Sequence, residues 1–168
     1  PAADRRETFP VPGMRVDVTC AASGAQKPER QVQVVAGEFA WNETAPGGNA
    51  TPMLQAAHER LLQIWTLPQG VVKAARLAGA KAVFTTEGGK PVITFPLPPP
   101  LQGGTMKATL DPGNFLFHTM PTGVRRYFSH RIERVETRLN NAVTVTTYSD
   151  YADWNAADYK SDALLPRR

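Results

Sequence analysis

The chain has a single cysteine, Cys20, in 168 residues. No internal disulfide can staple it, and metal sites built on cysteine pairs are excluded. No apolar run approaches the ~18 residues of a membrane-spanning helix. No signal-peptide pattern opens the sequence, and a start at Pro1 fits a processed exported chain or loss of an initiator methionine. The three histidines, His58, His118 and His130, make neither a His-x-His nor a His-Glu-x-x-His pattern, so no metal is expected and no cofactor is implied. No Gly-x-Ser-x-Gly elbow exists, and Ser129 beside His130 is adjacency in sequence rather than triad geometry. The glycine pairs at 47–48, 88–89 and 103–104 sit in turn contexts, and none opens a helix as a phosphate loop must. Catalysis by this chain alone is therefore not expected.

What is present is a globular composition, 42% hydrophobic, with a net charge of +4, 15 prolines and 13 glycines. Many turns and one domain follow from these values. Residues 1–13 read as an extended arm ahead of a single domain over 14–168. The one stretch with helical period is 50–79. Thr51 is a suitable N-cap with Pro52 at the first helical position. Leu54, Ala57, Leu61, Ile64 and Trp65 then form an apolar stripe, with Gln55, Glu59, Arg60 and Gln63 on the other side. The spacing predicts helices over about 52–66 and 69–78, interrupted at Pro68 and closed by Gly79. Trp65 is the largest anchor and is expected to be buried.

Alternation predicts strands around Met14–Val18, Val32–Val34 and Phe39–Trp41 ahead of the helices. After them come a hairpin about Glu87-Gly88-Gly89-Lys90, a strand over 105–110 and a hairpin about Asn140-Asn141. Pro96 to Pro100 reads as a stiff connector. The stretch 153–168 reads as polar loop, and Asp150, Asp153 and Asp158 as a solvated turn, their spacing not matching a calcium loop. The fold class is α+β: a curved, half-barrel-like antiparallel sheet of about eight to ten strands with both helices on its concave face.

Two candidate sites stand out. The first is the segment 112–130, which lacks helical or strand period. It carries Phe115, Phe117, Met120, Tyr127 and Phe128 with Arg125 and Arg126, the aromatic-and-arginine make-up of an interface, and is expected to dock a protein partner or larger assembly. The interleaving of Tyr127 and Phe128 with arginines also suits nucleic acid, but Glu133 and Glu136 among Arg131, Arg134 and Arg138 argue against it. The second is an apolar pocket formed by Phe39, Trp41, Leu61, Ile64, Trp65 and Phe95, suited to an apolar or lipid ligand.

Several stretches, in order, resemble a known bacterial domain. They are 34–43 (VVAGEFAWNE), 59–75 (ERLLQIWTLPQGVVKAA), 87–90 (EGGK) with 94–98 (TFPLP), 107–111 (KATLD), 132–138 (IERVETR) and 147–151 (TYSDY). Together they resemble the β-rich domain ahead of exported metallo-β-lactamase-fold hydrolases, which is itself similar to periplasmic lipoprotein carriers. The resemblance implies a half-barrel over helices, a non-catalytic accessory, binding or assembly role, and a periplasmic or extracellular location. Two departures accompany it. The segment 112–130 is additional to the family pattern, and the hydrolase motif His-x-His-x-Asp-His is absent.

Overall fold

The computed structural model describes residues 12–20, 28–112, 116–119, 125–128, 131–155 and 162–167. They fall into two compact units, residues 1–64 and 65–168, and the division lies inside the first helix. The arm at 1–11 lies outside the described residues, whereas Gly13 already belongs to a strand.

The first unit holds a four-stranded antiparallel sheet ordered β1-β2-β3-β4. Its strands are β1 (Gly13–Cys20), β2 (Glu29–Ala36), β3 (Phe39–Glu43) and β4 (Ala50–Pro52). Along β1 the half-buried Met14, Val16 and Val18 alternate with exposed Arg15, Asp17 and Thr19, as a one-sided strand requires. In β2 the pattern changes. Val32, Val34 and Val35 are all buried, so both faces of this strand are covered.

The expected helix start is corrected here. Ala50–Pro52 pairs with β3, Thr51 opposite Asn42 and Pro52 opposite Trp41. A proline is tolerated because β4 is a short edge strand. Helix begins only after it, as a 3-10 turn at Leu54–Ala56 followed by α1 (Ala57–Thr66). Leu54, expected on the buried stripe, is 61% exposed, while Ala57 and Leu61 are core.

Arg60 is a second correction, because its side chain is only 5% exposed. Its guanidinium donates to the carbonyl oxygens of Val34 (2.9 Å) and Trp41 (2.8 Å) and to Asn42 Oδ1 (2.6 Å). One planar fork thus bonds α1 to both β2 and β3. Beside it Glu43, also buried, accepts from Trp41 Nε1 (2.8 Å), Gly47 N–H (2.8 Å) and Arg15 (3.1 Å). These donors, the indole first, hold its carboxyl below the usual range.

The second unit opens with the end of α1, Trp65 and Thr66, both buried. Pro68 does not merely interrupt the helical run. It occupies the first turn of α2 (Pro68–Ala78), where its missing N–H is harmless. A 3-10 turn, Gly79–Lys81, follows. The strands β5 (Val83–Glu87), β6 (Lys90–Pro96) and β7 (Thr105–Leu110) come next. After them are β8 (Leu116–Thr119), β9 (Arg125–Phe128), β10 (Ile132–Leu139) and β11 (Ala142–Thr147). The last two are β12 (Tyr151–Asn155) and β13 (Asp162–Pro166). Five of them form an antiparallel sheet ordered β11-β10-β7-β6-β5, and β8–β9 and β12–β13 are two-stranded ribbons.

The α+β class with antiparallel sheets and two helices is as expected. The strands divide into a four-stranded and a five-stranded sheet, neither closed into a barrel. In the five-stranded sheet Ile93, Phe95, Met106, Ala108, Val135 and Thr137 are buried. The register sets Ile93 opposite Ala108, Ala108 opposite Val135, and Met106 opposite Phe95 and Thr137. Those pairs place all six on one face. Helix α2 packs on β6 and contributes Val71 and Ala74 to the core.

The loop from β6 to β7 returns through Gly104. A Cβ there would lie 2.5 Å from Leu97 Cδ1, 2.9 Å from the Arg138 carbonyl oxygen and 3.0 Å from Leu139 Cδ1. The backbone oxygen belongs to the β10 ladder and cannot step aside cheaply. Gly104→Ala is expected to cost about 2–3 kcal/mol, as overpacking does. A urea midpoint within error of wild type would show that the 97–104 loop yields instead.

Candidate functional site

The strands β7 and β10 are neighbours, and their junction gathers a charge-bearing cleft. Asp111 follows β7 and Arg131 precedes β10. Leu110 pairs with Ile132, and Asp111 N–H donates to the Arg131 carbonyl (2.8 Å). The side chains close the same gap, with Arg131 Nη2 2.6 Å from Asp111 Oδ2. Both ends of the 112–130 excursion are therefore held together at its base.

Around that base is an open cleft of about 320 Å³ lined by Lys90, Asp111, Arg131, Glu133 and the run Tyr148-Ser149-Asp150-Tyr151. Lys90 Nζ contacts Glu133 Oε2 at 2.5 Å. Tyr148 N–H continues the β10–β11 ladder by donating to the Glu133 carbonyl (2.8 Å). Its phenol donates to the Thr66 carbonyl (2.6 Å). Asp150 then takes a positive φ of 52°, a conformation that short polar side chains tolerate. The reversal lets the Tyr151 phenol donate to the Ile132 carbonyl (2.6 Å). The Arg131 guanidinium carbon lies 5.6 Å from the Tyr151 ring centre, within cation–π range. Burial, with the Tyr148 phenol adding to it, pushes Tyr151 up to about 12. Burial likewise raises Tyr148. Near neutral pH both phenols keep their protons and remain donors.

The sequence reading did not single out this cleft. A usable signal was present in Asp111 and Arg131, opposite charges at the two ends of an excursion between strands. The partner-binding candidates fall differently. Phe115 and Met120 lie outside the described residues. Phe117 is in β8, and Arg125, Arg126, Tyr127 and Phe128 form β9, with side chains outside the described set. The segment is not without regular structure. β8 and β9 pair antiparallel, Leu116 opposite Phe128 and Thr119 opposite Arg125. Similarly, β12 and β13 occupy much of the stretch expected to be loop. Of the acidic group, Asp150 lines the cleft, Asp153 is in β12 and Asp158 lies outside the described residues. Among the described residues no three metal-ligating side chains come together, and no helix is long and apolar enough to cross a membrane.

The apolar-pocket candidates divide between the two units. Phe39, Trp41, Leu61 and Ile64 belong to the first, and Trp65 and Phe95 to the second. Phe39 is exposed and Trp41 half-buried, its indole committed to Glu43. Leu61 and Phe95 are fully buried core, Trp65 nearly so, and Ile64 is half-buried. A separate cleft of about 360 Å³ lies between the end of α2 (Ala74, Leu77, Ala78) and Pro96–Pro99, with Lys81 at its margin.

Compared with known proteins, the chain matches no family model, no curated protein and no solved structure.

Proposed function

We propose that this chain is a non-catalytic binding or assembly domain that docks a protein partner through the 112–130 segment. The observation that supports the reading most is the closed base of that segment. Asp111 and Arg131 meet through both backbone and side chain, so the two ends of the excursion are joined where β7 and β10 already pair, past a single register shift between Ile132 and Arg134. The chemistry of the cleft at that base points the same way. Each cation sits beside a carboxylate, and each phenol is held as a donor to a backbone carbonyl. Such groups are spent on position and are poorly placed to act as base or nucleophile. The resemblance to the domain ahead of metallo-β-lactamase-fold hydrolases, with the exported location it implies, belongs to the same proposal.

Deleting 113–129 and joining the ends with a short glycine linker tests it. The expected result is an unchanged far-UV spectrum and melting temperature, with loss of the partner in a pull-down from the source extract. An unfolded deletion variant, or undiminished capture, would sink the docking role.

A second reading, carriage of an apolar ligand, is favoured by the cleft between α2 and Pro96–Pro99. It predicts that Leu77→Asp abolishes binding of a fluorescent aliphatic probe without altering the fold.

A further inference from the structure

Natural sheets guard their edges with charge, proline, brevity or bulges, because an open edge recruits another strand. Two of the four edges of the two larger sheets follow this rule along their length. β1 carries Arg15 and Asp17. β4 is three residues long and ends in Pro52. β5 is guarded only at its end, by Glu87 ion-paired to Lys107 at 2.5 Å, and exposes Val83 and Phe84. The fourth edge, β11, reads Ala-Val-Thr-Val-Thr-Thr, with no charge, proline or glycine. Its pairing with β10 runs from Leu139↔Ala142 to Arg134↔Thr147 without a register shift. Val143 and Val145 are 54% and 46% exposed.

The direction of its free hydrogen-bonding groups follows from the turn. Asn140 and Asn141 both have positive φ, 49° and 64°, the two-residue primed turn of a tight hairpin. The flanking Leu139 and Ala142 then exchange backbone bonds, and every second residue of β11 does the same. Tyr148 N–H bonding to the Glu133 carbonyl fits that phase. The N–H and C=O groups of Val143, Val145 and Thr147 consequently point away from β10.

We propose that β11 is a self-association edge that pairs antiparallel with β11 of a second copy about a two-fold axis at Val145. In that register Val145 faces its own counterpart, Val143 faces Thr147 and Thr144 faces Thr146. All three outward-pointing residues of each copy are hydrogen-bonded. The opposed side chains are β-branched and uncharged, the kind of cross-strand pair that stabilises a sheet. A second copy suits this edge because the register is its own complement and no like charges meet. Pairing the edge with itself also closes the assembly at two copies rather than opening a filament. This association is separate from partner docking at 112–130, so the 113–129 deletion variant retains it.

Sedimentation equilibrium of the full chain over a dilution series reads it directly. The expected average mass rises with concentration toward twice that of the monomer. The amides of Val143, Val145 and Thr147 gain hydrogen-exchange protection in parallel. Val145→Lys places like charges face to face and is expected to weaken association at least about tenfold while leaving the circular dichroism spectrum unchanged. Mixing Val145→Lys with Val145→Glu is expected to restore a mixed dimer, because this register alone sets position 145 against itself. A wild-type chain that stays monomeric over the whole series overturns the proposal. So does a dimer indifferent to Val145→Lys, or a mixture that fails to associate.

Discussion

Replacing Arg60 by alanine is expected to lower stability by about 3–5 kcal/mol, because it leaves buried acceptors without a donor. The Val34 and Trp41 carbonyls and the Asn42 side-chain oxygen all receive from this one guanidinium, and the residue is 5% exposed. Arg60→Met keeps much of the volume and isolates the hydrogen-bond share of the loss. Arg60→Lys is expected to recover less than half of it, since an ammonium on a flexible stem cannot span three acceptors arranged for a planar fork. Urea denaturation followed by circular dichroism gives the three values. A loss below about 1 kcal/mol for alanine, the range of an ordinary surface change, would mean that the guanidinium is solvated and the fork contributes little.

The same residue shows what the sequence could reveal. Arg60 lies three positions after Ala57 and four before Ile64, so helical period places it beside the buried stripe. Its charge argued for solvent, and charge was the weaker guide, because two backbone carbonyls of β2 and β3 were there to receive it. One-sided strands were legible wherever alternation was strict, as at Met14, Val16 and Val18. The hairpin at Glu87-Gly88-Gly89-Lys90 was legible because its turn needs two positive φ values and has the two glycines that adopt them. Thr51-Pro52 misled for a physical reason. Threonine before proline suits a helix N-terminus and also a short edge strand, and pairing with Trp41 and Asn42 decided between them. The ribbons β8–β9 and β12–β13 were hidden because strands of four or five residues offer too few positions for a period to emerge. The cleft at Asp111 and Arg131 depends on β7 and β10 being neighbours across a skipped segment, and the opposite charges at its two ends are the one sign of that adjacency in the sequence.

The second large effect is expected at Trp65. This side chain is 6% exposed at the end of α1. Truncation to alanine removes a large buried aromatic, and such changes cost about 3–5 kcal/mol. One feature reduces the figure. The indole Nε1 is buried without a hydrogen-bond partner among the described residues, and an unsatisfied buried donor already costs about 1–3 kcal/mol. Removing it returns part of the loss, so the lower end of the range is expected for Trp65→Ala. Trp65→Phe separates the two contributions, because phenylalanine keeps most of the apolar contact and has no N–H to leave unpaired. It is expected to lie within about 1 kcal/mol of wild type, the lost volume offset by the relieved donor. His58→Ala, at an exposed position on the same helix, is the control and is expected to stay under about 1 kcal/mol. Urea midpoints order the three variants. If Trp65→Phe is as damaging as Trp65→Ala, the indole N–H has a partner such as a buried water, and the reasoning from an orphaned donor is wrong. If His58→Ala exceeds both, the buried face of α1 has been misassigned.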